Sequence, residues 1–145
     1  RLGLTKKAGL PDSSTVYVLE QGERIPRVDT VAKIASALAL SPGFLAFGLA
    51  DECVRSEVPS VAGVGKRLRS VRLALGLSVL ALSRLAAVSH TAIGNIERGT
   101  MPSLATAESL ADALGLSPAW LAFGVGPQVL PIRRKARTAQ PDARD

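Results

Sequence analysis

In the second half of the chain, apolar positions recur three and four residues apart, in short runs broken by serines and glycines. Residues 64–75 (VGKRLRSVRLAL) set Leu68, Val71 and Leu75 on one stripe, with Lys66, Arg67, Arg69 and Arg72 around it. That predicts an amphipathic helix with a basic flank. Gly76 ends it, and Ser78 caps a short second helix over 79–86. Ala87 and Val88 make a tight connection, after which Ser89 caps a third helix over roughly 90–97. There Ile93 and Ile96 face inward, while His90, Thr91, Gly94 and Asn95 face out. Gly99 closes that helix, Ser103 caps a fourth, and Leu104, Ala107, Leu110, Ala111 and Leu114 line the fourth helix's buried face. Ser117 with Pro118 starts a fifth, because proline at the first helical position loses no needed N–H. Trp120, Leu121 and Phe123 then cover the core. Two short helices on a tight connection cannot each bury a core. They pack across one another on the first and fourth, leaving the outer face of the third exposed.

Much of this pattern is written twice. Residues 26–48 (PRVDTVAKIASALALSPGFLAFG) and 102–124 (PSLATAESLADALGLSPAWLAFG) are identical at 12 of 23 positions, at a constant offset of 76. Matching turns precede them, LEQG at 19–22 and IERG at 96–99. A repeat of this length is a small folded unit rather than a solenoid period, and 145 residues suffice for two such units.

Only five residues are aromatic, so the cores rest on Leu, Val, Ile and Ala, which suits helix packing. The net charge of +6 is uneven: residues 1–59 balance seven basic against seven acidic side chains, whereas 60–100 carry six basic against Glu97 alone. Basic charge thus gathers where the second repeat begins, as a polyanion-binding surface requires, although basic surfaces also simply keep proteins soluble. A single cysteine, Cys53, excludes an internal disulfide and a thiolate zinc site and suggests an intracellular chain. No apolar run approaches roughly 18 residues and no secretion signal is visible, so a cytoplasmic location without a membrane partner is expected. One His, one Cys and one Tyr offer no metal cluster or nucleophile triad, so neither a catalytic residue, a metal nor a cofactor is expected.

The run LSRLAAVSHTAIGNIERGTMPSLATAESLADALGLSPAWLAFG resembles the helix-turn-helix domain of the Xre/Cro phage-repressor family. Ala86, Val88, Ser89, Ile93, Ile96, Glu97, Gly99 and Pro102 carry the likeness, in order and at the family's spacing, over about 60 residues. The resemblance implies an all-α fold of two tandem lambda-repressor-like five-helix helix-turn-helix domains, the first truncated at its N-terminus. It also implies double-stranded DNA as partner, usually bound by a dimer, with the third helix in the major groove.

Carried onto this sequence, the base-reading positions are His90, Thr91, Gly94 and Asn95. Thr91 and Asn95 can hydrogen-bond base edges or phosphates, His90 suits a phosphate or a guanine acceptor, and Gly94 offers only close backbone approach. His90 also reads, with less weight, as a solvated helix residue. Arg67, Arg69, Arg72, Arg84 and Arg98, with the caps Ser78 and Ser89, are the candidate phosphate contacts. Arg69 and Arg72 also read as flanks of the core stripe, and Glu97 as a structural hydrogen-bonding residue. Where the family usually carries Gln, this sequence has Val79 followed by Leu80, which removes a phosphate contact and leaves apolar side chains for a protein partner.

The first repeat is unequal. Residues 4–10 (LTKKAGL) match the end of the family's second helix and its turn, while helix one is absent and lies upstream or is replaced by another cover. The third helix is expected from Ser13 or Ser14, offering Thr15, Tyr17 and Val18 with Asp12 nearby. That acidic, partly apolar face suits assembly or dimerisation better than reading DNA. The expected boundaries are 1–50 for this degenerate repeat, 51–62 for a linker, 63–126 for the DNA-binding domain and 127–145 for a basic tail.

These readings converge on a transcriptional regulator that binds duplex DNA sequence-specifically, as a homodimeric repressor reading the major groove with helix 90–97. The alternative is an antitoxin or protein-interaction adaptor on the same fold.

Overall fold

Four serines in the second half behave as their positions predict. The hydroxyls of Ser78, Ser89, Ser103 and Ser117 accept hydrogen bonds from the backbone N–H three residues on, at 3.0, 3.1, 3.2 and 3.4 Å. Each satisfies one of the orphan donors at a helix start. The computed structural model describes residues 2–11, 13–48 and 60–129 and contains nine α-helices among them, with no named strand.

In the first half these are α1 (Leu2–Lys7), α2 (Ser13–Glu20), α3 (Val28–Leu38) and α4 (Pro42–Phe47). A 3₁₀ turn at Val61–Gly63 leads into α5 (Val64–Ala74), α6 (Val79–Ala86), α7 (His90–Glu97), α8 (Leu104–Leu114) and α9 (Pro118–Phe123). Expected linker residues 51–59 and tail residues 130–145, with Cys53 and Asp12, lie outside the described residues.

Within the second half, α5 packs on α7 and α9, α6 on α7 and α8, and α8 on α9. Leu68, Leu82, Ile93, Leu110, Leu121 and Phe123 are fully buried between them. Burial of this aliphatic set is the main stabilising term, at about 25 cal/mol per Å2 of apolar surface. Two positions depart from the predicted stripes. Leu75 is 55% exposed, because α5 ends at Ala74 and the chain turns away at Gly76 (φ 67°). The inward position one turn after Leu68 belongs to the buried Arg72 instead. Leu104 is only half-buried and lines a groove in the first half.

The halves join through equivalent residues. Arg27 and Ser103, 76 positions apart, form an antiparallel bridge: the Val28 N–H donates to Pro102 O (3.1 Å) and the Leu104 N–H to Pro26 O (3.0 Å). Helix α4 packs against α9, with the Phe47 and Phe123 ring centroids 6.3 Å apart. A Cβ built on Gly43 would lie 3.1 Å from the Ala119 Cβ. Each of these pairs again spans 76 residues. The contact is self-complementary, residue i on j and j on i, as across the two-fold axis of a symmetric dimer. It also places Val28 and Val31 in the core cluster of the second half.

Candidate nucleic-acid interface

Ala87 makes the turn between α6 and α7. It takes the left-handed conformation (φ 53°) and closes α6 by donating to Ser83 O. The chain bends through 116° between the two helices, within the usual range for a helix-turn-helix. Ile93 and Ile96 hold α7 against the core, while His90, Thr91 and Asn95 stand exposed and Gly94 is partly covered. The four predicted base-reading residues therefore share the outer side of one anchored helix.

Arg98 completes that surface. Its guanidinium lies over Gly94, where a Cβ would come within 3.5 Å of Nη2, and donates to Asn95 Oδ1 at 2.7 Å. Asn95 is thus oriented before any ligand arrives. Its amide donors and the second lone pair on Oδ1 stay available to an adenine edge. Arg69, Arg84, Ser78 and Ser89 are also exposed. The hydroxyls of Ser78 and Ser89 cap α6 and α7, leaving polar backbone donors at two helix starts.

Two of the expected phosphate contacts, Arg67 and Arg72, donate their guanidinium hydrogen bonds to groups within the chain. Arg72 is 8% exposed and donates two hydrogen bonds to Glu97, Nε to Oε1 at 2.6 Å and Nη2 to Oε2 at 3.0 Å. A third runs from Nη1 to Leu77 O at 2.9 Å. The hydrogen bond that Arg72 donates to Glu97 raises the Arg72 pKa, burial opposes it, and the carboxylate charge adds to the rise. A phosphate could reach this guanidinium only by breaking a bidentate pair, and it would leave Glu97 uncompensated. Arg67 donates to Leu121 O (3.0 Å), Ala122 O (3.2 Å) and Ser60 O (2.8 Å). It satisfies carbonyls at the end of α9 and ties the segment before α5 to the core, and burial lowers its pKa.

Sequence reasoning read Glu97 as structural but did not find its partner. The signal was the position of Arg72, one turn after Leu68 on the buried stripe. The contacts between halves were also missed, although the 76-residue offset marked Arg27 with Ser103, Gly43 with Ala119 and Phe47 with Phe123.

An exposed, pre-anchored second helix behind a tight turn defines the helix-turn-helix class. Residues 68–121 match the family model described as Helix-turn-helix, so the chain contains one such domain, of the Xre/Cro type, in its second half. Such a domain is consistent with DNA binding and transcriptional regulation in general. No curated protein and no solved structure matches the chain. Among the described residues, no group of three or more His, Cys, Asp or Glu side chains could hold a metal ion, and no single helix is long and apolar enough to cross a membrane.

Proposed function

We propose that the chain is a sequence-specific transcriptional regulator that reads the major groove of duplex DNA with α7 and represses by occupying an operator in the cytoplasm, on the nucleoid. The observation that carries this reading is the outer face of α7, where Thr91 and Asn95 are exposed and Asn95 is oriented by Arg98. Thr91, Asn95 and His90 read base edges, and Gly94 permits close approach. Arg69, Arg84 and Arg98, with the starts of α6 and α7 at Ser78 and Ser89, hold the phosphates and set the register. Arg67 and Arg72 act by keeping α5, α7 and α9 in place.

The first half serves as a degenerate repeat with an assembly role, supported by its self-complementary contact with α9. Pairing that two chains would otherwise supply is met here within one. The expected homodimer then joins through a different surface and presents two copies of α7 to a two-fold symmetric operator.

A second reading, an antitoxin or adaptor, is favoured by one observation. Leu73, Leu75, Leu80 and Leu85, at the end of α5 and along α6, are all more than half exposed. Apolar surface of this kind marks protein contact sites when it is contiguous.

Selection from a randomised duplex-DNA library at near-physiological salt decides between them, run with the native chain and with Thr91→Ala plus Asn95→Ala. Enrichment of a motif that the double variant loses supports the regulator and yields the half-site spacing. Salt-sensitive binding without enrichment reduces the protein to nonspecific attachment. A folded chain that binds no DNA leaves the adaptor reading.

A further inference from the structure

Asn95 and Arg98 lie three residues apart at the end of α7, on one side of the helix. Backbone bonds fix both. The Arg98 N–H donates to Gly94 O and Asn95 O, each at 3.2 Å, and the Thr100 N–H donates to Asn95 O at 2.9 Å. Gly94 puts no side chain beneath the guanidinium, and the neighbouring carboxylate, Glu97, is held by Arg72. Arg98 is thus left to Asn95, whose Oδ1 its Nη2 reaches at 2.7 Å.

An exposed asparagine amide normally has two ways round, with its oxygen and nitrogen ends exchanged by rotation. Arg98 removes that freedom. A guanidinium carries donors and no acceptor, so the end of Asn95 that faces it must be the oxygen. The turned amide would set N–H against N–H. Asn95 therefore offers a base its remaining Oδ1 lone pair and its Nδ2 donors in one fixed order.

Adenine answers that order, with N6 donating to Oδ1 and N7 accepting from Nδ2. Guanine O6 and thymine O4 are acceptors, and each would meet Oδ1 oxygen to oxygen. Cytosine offers the N4 donor alone. A free asparagine would turn Nδ2 toward guanine O6 or thymine O4 and regain a bond, whereas one held by Arg98 cannot.

We infer that Arg98 is a positioning residue that makes Asn95 a reader of adenine, so the operator carries an A·T pair beneath Asn95. The inference rests on α7 reading the major groove and names what one position of it reads. Arg98 keeps further N–H donors for a phosphate, and the two roles are separable because a phosphate contact carries no sequence information.

The test uses the full chain, the duplex selected from a randomised library, and every single-base-pair replacement of it. The pair read by Asn95 is the one whose preference Asn95→Ala abolishes. Adenine is expected there, favoured about tenfold or more over guanine and thymine. Arg98→Gln offers the amide either a donor or an acceptor, so that one preference should fall to within about threefold while the others stand. Arg98→Lys, again a donor without an acceptor, should retain it. Arg98 is exposed, so neither substitution disturbs the core. A base other than adenine at the Asn95-dependent pair overturns the inference. So does an even loss of affinity with Arg98→Gln that leaves the adenine preference intact, since Arg98 then holds phosphate alone. Equal loss of the preference with Arg98→Lys and Arg98→Gln overturns it too, because donor character is then not what orients the amide. In all three cases α7 remains the reader. Selection of no motif, or of one indifferent to Asn95→Ala and Thr91→Ala together, overturns the major-groove reading and this inference with it.

Discussion

The two halves share a pattern of helices and caps but differ in what covers them. Leu121 is fully buried and Leu116 is 7% exposed, whereas Leu45 and Leu40, their counterparts 76 residues earlier, are 38% and 39% exposed. Of the 19 residues in the main core cluster, only Val28 and Val31 come from the first half. Among the described residues the difference is a single helix. Helix α5 supplies Val64, Leu68 and Val71 to the second core and Arg72 to Glu97, and the described part of the first half has no equivalent. Among the described residues, the second half therefore has a helix of its own over its core, while the first half meets the second through α3 and α4.

The sharpest way to break that asymmetry is to remove the charge that α5 carries inward. Arg72→Ala leaves Glu97 without its bidentate partner beside the core, and losing one member of a buried pair costs about 3–5 kcal/mol. Urea unfolding should show a loss of stability of that size, read as the midpoint shift multiplied by the m-value. Restoring neutrality with Glu97→Leu in the same chain should recover much of the loss, because the penalty comes from the stranded carboxylate. Failure of the second substitution to recover anything would mean that Arg72 acts mainly through Leu77 O.

A smaller, more direct comparison truncates the same residue in each half. Leu121→Ala opens a cavity in a closed core and should cost about 2–5 kcal/mol. Leu45→Ala removes a side chain that already meets solvent and should cost less than about 1 kcal/mol. Equal losses in thermal unfolding would show that the first half is as tightly packed as the second and would undo the contrast.

Much of this was legible in residue order. The helices over 79–86 and 90–97, the caps at Ser78, Ser89, Ser103 and Ser117, and the inward Ile93 and Ile96 follow from local periodicity and capping chemistry. The reach of the basic side chains was not legible. Arg67, Arg69 and Arg72 look alike in a helical projection, but Arg67 bends to three carbonyls and Arg72 enters a pair 25 residues away, while Arg69 stays in solvent. Long flexible stems let an arginine at the edge of an apolar stripe turn either way, and the partner that decides lies elsewhere in the chain. The pairing of the halves was encoded in the repeat but needed geometry to be seen. Gly43 lies opposite Ala119, where a Cβ would come 3.1 Å from the Ala119 Cβ, and glycine there leaves the room.

The smallest expected effect concerns the charges that remain outside. Arg84 is exposed on α6, and Lys6 and Lys7 are exposed on α1, the first half's counterpart of α6. If only the second half faces DNA, Arg84→Ala should weaken binding a few-fold, evenly across sequences, and reduce the slope of log affinity against log salt by about 1. Lys6→Ala with Lys7→Ala should leave both affinity and slope unchanged, although it removes twice the charge. Net charge alone would predict the opposite order, since long-range attraction counts charges wherever they sit. A slope that falls with the lysine pair as well would place α1 at the backbone. The first half would then be a second point of attachment to the duplex.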